Sequence, residues 1–225
     1  MSRWKVAGIH LLLSVLVITT IATTVLMVWY PYGTHVISGV DRLFKLMLIV
    51  DVTIGPLLTA VVYRQGKSGL KMDLAVIAAL QCAFLGYGLH TLWQARPVFL
   101  VATANRYDLV VASDLENGAL ADAPNPQWRT LSLTGPQIVG ALPPANAAER
   151  EDLLFETLAT GVDIDKLPRY YVPLQAVADQ LLANAQPGED SQQRAIPIVS
   201  RFDSGILIID ATTAQPIKIA KHKNN

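Results

Sequence analysis

The chain has 225 residues, 52% hydrophobic and 16% charged, with a mean hydropathy of +0.35, too apolar and too sparsely charged for an ordinary soluble domain. Net charge is zero, but residues 1–96 hold eight Lys/Arg against three Asp/Glu, whereas residues 97–225 hold ten against fifteen. The acidic second half lacks the basic field that nucleic-acid binding requires, which excludes that class, and the composition as a whole points to a membrane protein.

No charged residue lies between Lys5 and Asp41. Residues 6–30 supply about 25 positions, enough at about 1.5 Å each to cross a hydrocarbon core of roughly 30 Å. Arg3 and Lys5 could also head a signal peptide, but the apolar part is too long and no small-x-small cleavage site precedes a polar start. Trp29, Tyr30 and Tyr32 fit an interfacial belt at the far end. A second apolar run covers 43–63, with Lys45 directed outward. A short basic link, 64–71, leads to a third charge-free run at 74–94. After three crossings Arg3, Lys5, Arg64, Lys67 and Lys71 fall on one side, with Arg42, Lys45 and Arg96 on the other. The positive-inside rule then places the amino terminus and the link in the cytoplasm and residues 97–225 outside. In a bacterium with two membranes that side is the periplasm, and helical spans belong to the inner membrane.

The fold class expected is therefore a membrane protein with three transmembrane α-helices, in a membrane domain of residues 1–96, followed by a small periplasmic α+β domain of residues 97–225. Residues 98–111 read as two short strands with a turn at 104–106. Prolines and glycines make 113–146 loop-like. A helix is expected at 147–160, with Asn146 as N-cap, Glu149 at the capping-box position, Leu154 and Leu158 on one face, and Gly161 as the stop. A second helix fits 174–184, ended by Pro187-Gly188. Strands are expected at 196–201, 206–211 and 217–220, the first two joined around Asp203-Ser204-Gly205.

Polarity inside the apolar runs is the most informative signal. Asp51 is an ionisable group in a spanning segment, where an acid costs roughly 2.5 to 3.5 kcal/mol on insertion scales. Matching depths along the three runs sets it near Thr19, Thr20, Thr23 and His90, a candidate intramembrane polar cluster. Asp51, Gly55 and Thr59 recur every four residues, as do Ala75, Ala79 and Ala83, with Gly86 beside them. Two such small-residue faces could approach closely. The cluster is either a network that sets how the spans pack or a docking site for a partner's spanning helix. Gly55-Pro56 should kink the second span.

Catalytic signals are thin. Asp163-Ile164-Asp165 has the spacing with which nucleotide-sugar transferases hold a cation, but no βαβ pattern surrounds it. Histidines 10, 35, 90 and 222 lack metal-ligand spacing, Cys82 is alone, and neither a nucleophile elbow nor a glycine-rich phosphate loop is present. No cofactor, metal or small-molecule substrate is expected. Pro168, Tyr170, Tyr171 and Pro173, an aromatic segment rigid between prolines, form a candidate periplasmic contact.

Residues 50–59 (VDVTIGPLLT), 67–71 (KSGLK), 73–81 (DLAVIAALQ), 87–90 (YGLH) and 94–98 (QARPV), with Thr134-Gly135-Pro136 and 167–173, resemble the type IV pilin accessory proteins of the TfpX/TfpZ type. The resemblance is densest over 41–110. It implies pilin handling at the inner membrane: binding a major type IV pilin, through the spans or through the outer domain, and tuning pilus assembly or retraction without catalysis. A pilin-modifying enzyme and a structural subunit of the assembly platform are the alternatives.

Overall fold

The structure is a computed structural model, and it describes residues 2–220. The chain forms two compact units, one of residues up to Met27 with Val40–Gln94, the other of Val28–Gly39 with the chain from Ala95 onward. The segment between the first two apolar helices thus packs with the second unit, and the division is not a single boundary near residue 96.

The first unit is helical. Helix α1 covers Arg3–Trp29, and the one-turn helix α2, His35–Ser38, belongs to the second unit. Helices α3 (Val40–Met47) and α4 (Gly55–Val62) are joined by a helical turn and together make one apolar helix, Val40–Val62. Helix α5 covers Leu70–Gln94. All three long helices are long and apolar enough to cross a membrane. Each buries only a stripe: Ala7, Ser14, Ile18 and Val25 on α1, and Ile77 and Leu92 on α5. Most other faces are Leu, Val and Ile directed outward, as expected where the surroundings are themselves apolar.

The second unit is built on a mixed sheet. Its strands are β1 (Pro97–Ala102), β2 (Tyr107–Val111), β3 (Gln137–Ala141), β4 (Tyr171–Val172), β5 (Gln186–Pro187), β6 (Gln193–Val199), β7 (Ser204–Asp210) and β8 (Pro216–Ala220). Among the described residues the order is β4-β3-β1-β2-β6-β7-β8, with β5 beside β6. The pairs β1–β3 and β2–β6 are parallel and the others antiparallel. One face packs on Ile37 of α2 and on helix α7, Gln175–Asn184, through Leu174, Val177 and Leu181. The other carries Phe99, Val139 and Tyr171 of the sheet itself and is covered by the intervening segments that bring in Leu115, Leu120 and Trp128. Burial on both faces explains why β1 reads as an unbroken apolar run.

Residues 113–146, read above as loop, contain β3 inside the sheet. Gly140 disguises it: a Cβ there would meet Val177 Cγ2 at 2.8 Å and Val172 Cγ2 at 3.1 Å, so the glycine marks close packing rather than a turn. The β6–β7 turn also falls earlier than expected, at Ser200–Asp203, because the Ser200 hydroxyl accepts from the Phe202 and Asp203 N–H groups. Helix α6 has the bounds read from the sequence, Ala147–Thr160. Asn146 accepts from Ala148 N–H, and Gly161 is left-handed with its N–H on the Thr157 carbonyl. Its apolar face is nevertheless turned to solvent, with Leu154, Phe155 and Leu158 at 56%, 61% and 73% exposure.

Candidate functional site

Between α3 and α4 the second apolar helix winds as a π-helix over Leu48–Ile54. Pro56 has no N–H to donate and its ring crowds the carbonyl four residues back. The helix answers by widening ahead of the proline, and Met47, Ile54 and Gly55 keep right-handed helical dihedrals. The irregularity expected at Gly55-Pro56 therefore takes the form of a π-turn, a feature often found at functional positions. In this turn the Gly55 N–H donates to the Val50 carbonyl, one residue earlier than in an α-helix. Pro56 contributes no donor, so the Asp51 carbonyl is passed over by the helix and takes the Gln81 side-chain amide instead, Nε2 to O 3.3 Å. Gly55 permits the approach, since a Cβ there would overlap the Gln81 amide.

Asp51 itself is 6% exposed and stands between two clefts of the helical unit. One, of about 290 Å³, is lined by Leu46, Met47, Val50, Phe84, Tyr87 and Gly88. The other, of about 240 Å³, is lined by His10, Ser14, Ile18 and Gln81. Asp51, Gly55 and Thr59 are all buried, so their four-residue repeat is a packed face. Thr59 Oγ1 lies 2.7 Å from His10 Nδ1, a hydrogen bond between the first and second long helices. The polar side chains that share a cleft with Asp51 are therefore His10, Ser14 and Gln81, with Thr59 joined to them through His10.

They are not the group expected from matched depths. Thr19, Thr20 and Thr23 are exposed, and Thr20 satisfies its hydroxyl on its own helix, Oγ1 to Leu16 O 2.8 Å. His90 and Gly86 are exposed too, and no atom lies within 4 Å of a Cβ built on Gly86. The contact glycine is Gly88, where a Cβ would meet the Met47 side chain at 3.1 Å. Two residues are about 200° around a helix, so a correct estimate of depth with the wrong phase turns His90 away from Asp51. The small-residue stripe at Ala75, Ala79 and Ala83 is exposed as well. His10 and Gln81 had a sequence signal, each being a polar residue inside an otherwise apolar run.

In the second unit the aromatic segment divides. Tyr171 is a core residue, edge-on to Phe99 at 5.1 Å and to Trp128 at 6.5 Å, with its hydroxyl donating to the Asp165 carbonyl at 2.5 Å. Pro168 is buried, which leaves only Tyr170, partly covered by Arg169, and Pro173 facing out. Asp163 and Asp165 have separate surroundings. Asp163 caps a short helical turn, accepting from Ile164 N–H, and pairs with Arg106 at 3.3 Å. Arg106 also grips both oxygens of Asp108, at 2.9 and 3.0 Å. Burial, reinforced by Asp108, pushes the Asp165 carboxyl up to about 7, and burial raises Asp108 as well against the pull of Arg106. Among the described residues no group of three or more His, Cys, Asp or Glu is placed to hold a metal ion. His222 lies outside the described residues.

The family model described as fimbrial assembly protein FimB matches residues 1–39. Over 186 residues the chain is 31% identical to a fimbrial assembly protein of serogroup I from Dichelobacter nodosus, covering 81% of this chain and 71% of that one. A serogroup E1 fimbrial assembly protein from the same organism is 30% identical with the same coverage. One of serogroups C1 and C2 is 34% identical over 114 residues, 49% of this chain and 86% of its own. No solved structure matches the chain. With that identity sustained over most of both chains, the protein belongs to the fimbrial assembly protein family.

Proposed function

We propose that the protein is an inner-membrane accessory factor that binds type IV pilin and modulates its assembly into, or its retraction with, pili, without catalysing a reaction. The observation that carries the reading is the buried Asp51 carboxylate on a π-turn between two clefts of an otherwise apolar helical unit. An acid kept in such surroundings commonly has a partner or a role, and the first cleft offers a spanning helix both apolar walls and one polar contact. Family membership supplies the process. The relatives are named by serogroup, which fits a factor matched to one kind of pilin better than a platform subunit serving all. In this reading the long helices cross the inner membrane with the amino terminus in the cytoplasm, and the sheet unit lies in the periplasm.

Two experiments test it. A reporter active only in the periplasm is expected to work when fused after Gly118 and to be silent when inserted at Gly66; the opposite pattern overturns the orientation. A photocrosslinking side chain at Tyr87, which lines the first cleft, is expected to capture the neighbouring pilin in cells. Capture only from Leu158 moves the binding surface to the outer helix α6, and capture from neither position removes pilin as the direct partner. A change in the mass of mature pilin on deletion of the protein would instead indicate a modifying enzyme.

A further inference from the structure

The tip of the β6–β7 hairpin carries an exposed aromatic side chain, Phe202, and beside it Arg201, whose side chain is 62% exposed. Both would be unremarkable on a free loop, but this turn is fastened to a particular place in the chain. The Ser200 hydroxyl lies 2.6 Å from the Ile37 carbonyl, and a Cβ on Gly205 would sit 3.4 Å from Ile37 Cγ2. Phe202 lies against Gly39, where an added Cβ would come within 2.9 Å of its Cγ. Gly39 is left-handed and ends α2, so the close approach and the backbone turn both depend on glycine.

Residues 30–39 connect the ends of two long apolar helices, one finishing at Trp29 and the other beginning at Val40. The uncharged part of the second begins near Leu43 apart from Lys45, four residues beyond Gly39, which is about 6 Å along a helix. The headgroup layer of one leaflet is about 5 to 8 Å thick. Chain connectivity therefore holds the residue against which Phe202 packs at headgroup depth. The exposed side chains around it suit that layer. Val36 is also exposed, and the Arg201 guanidinium lies 6.0 Å over the Phe202 ring and 3.8 Å from Asp114, with its side chain 62% exposed, so the cation and the aromatic ring are presented together.

We propose that the β6–β7 turn is a lipid-contact site, with Phe202 entering the headgroup layer of the leaflet that receives the first two helices and Arg201 engaging lipid phosphate. This rests on the reading that the long helices span a bilayer. Two groups of hydrogen bonds, from Ser200 to residue 37 and from the turn's own N–H groups to Ser200, hold the tip ready, so contact requires little ordering of the loop.

The test uses the full chain in nanodiscs of phosphatidylcholine and phosphatidylglycerol, with Cys82→Ser and a nitroxide attached through Phe202→Cys. Relaxation by oxygen, which concentrates in the bilayer, is compared with relaxation by a water-soluble nickel chelate. The ratio at position 202 is expected to exceed, several-fold, that of a label at Leu154, and a label through Val36→Cys, which leaves the turn intact, is expected to agree. Nickel access equal to that at Leu154 overturns the proposal, as does shielding of positions 202 and 36 from both reagents, which would mean a protein covers the tip. A label at Leu57 separates the two readings: if it is oxygen-accessible while 202 is aqueous, only the lipid contact fails, and if it too is aqueous, the spanning reading fails with it.

Discussion

The two units resolve the same problem with opposite arithmetic. In the helical unit large apolar side chains face outward as a rule, Met27 at 80% and Val61 at 75% exposure, and the buried residues include Asp51 and Thr59. In the sheet unit β1 is buried along its whole length, and the most exposed apolar residues include three on the single helix α6, Leu154, Phe155 and Leu158. An exposed leucine therefore means little in the first unit and much in the second, while a buried carboxylate is informative in both. The apolar face of α6 and the Asp51 site are each conspicuous only against their own surroundings.

The sharpest way to break this comparison is to truncate neighbouring tyrosines in the sheet unit. Tyr171→Ala empties a site between Phe99 and Trp128, and is expected to cost about 3 to 5 kcal/mol. Tyr170→Ala is expected to stay within about 0.5 kcal/mol. Thermal unfolding of the detergent-solubilised chain followed by near-ultraviolet circular dichroism reads both. Equal losses would mean that the aromatic segment is not divided between core and surface.

Gln81→Leu in the helical unit leaves the Asp51 carbonyl without its side-chain donor. Depriving a buried acceptor is expected to cost about 1 to 3 kcal/mol, visible as lower protein abundance and earlier loss of helix on titration with a denaturing detergent. His90→Leu, facing away, is expected to change neither. If His90→Leu is the more damaging, the phase of α5 assigned here is wrong.

Asp165 gives a pH-dependent contrast confined to the sheet unit. Its folded carboxyl is raised to about 7 by burial with Asp108 beside it, so between about pH 4 and 7 the native state holds a proton that the unfolded chain has released. Stability is therefore expected to fall as pH rises through that window and to level off above it. Asp108 is raised too and adds to the slope, while Arg106 and Lys166 oppose it. Asp165→Asn is expected to flatten the pH dependence of the unfolding temperature between pH 5 and 8; an unchanged slope would remove Asp165 as its source.

A small effect is expected from Thr59→Val, which keeps shape but deletes the hydrogen bond to His10. Interhelical polar contacts in membranes average about 0.6 kcal/mol, so abundance should hold. If the Asp51 surroundings serve pilin docking, crosslinking from Tyr87 should fall by more than abundance does. A loss matched by abundance would leave the polar group as packing alone.

The amino-acid sequence by itself determined the three long apolar helices, the β1–β2 hairpin, both ends of α6, the extent of α7 and the resemblance that the comparisons bear out at the level of family. These features are local: run length, capping residues and turn residues act within a few positions of one another. Tertiary structure decided what depends on direction. A helix apolar all round carries no moment to say which face packs, so only the fold chose Gly88 over Gly86 and Gln81 over His90. Adjacent tyrosines in one short segment look alike until Trp128 and Phe99 close over one of them. Gly140 reads as a loop until Val177 and Val172 arrive from elsewhere in the chain. The π-turn stands between these cases: Gly55-Pro56 announced an irregularity, but the carbonyl it frees at Asp51 gains meaning only from a glutamine thirty residues away on another helix.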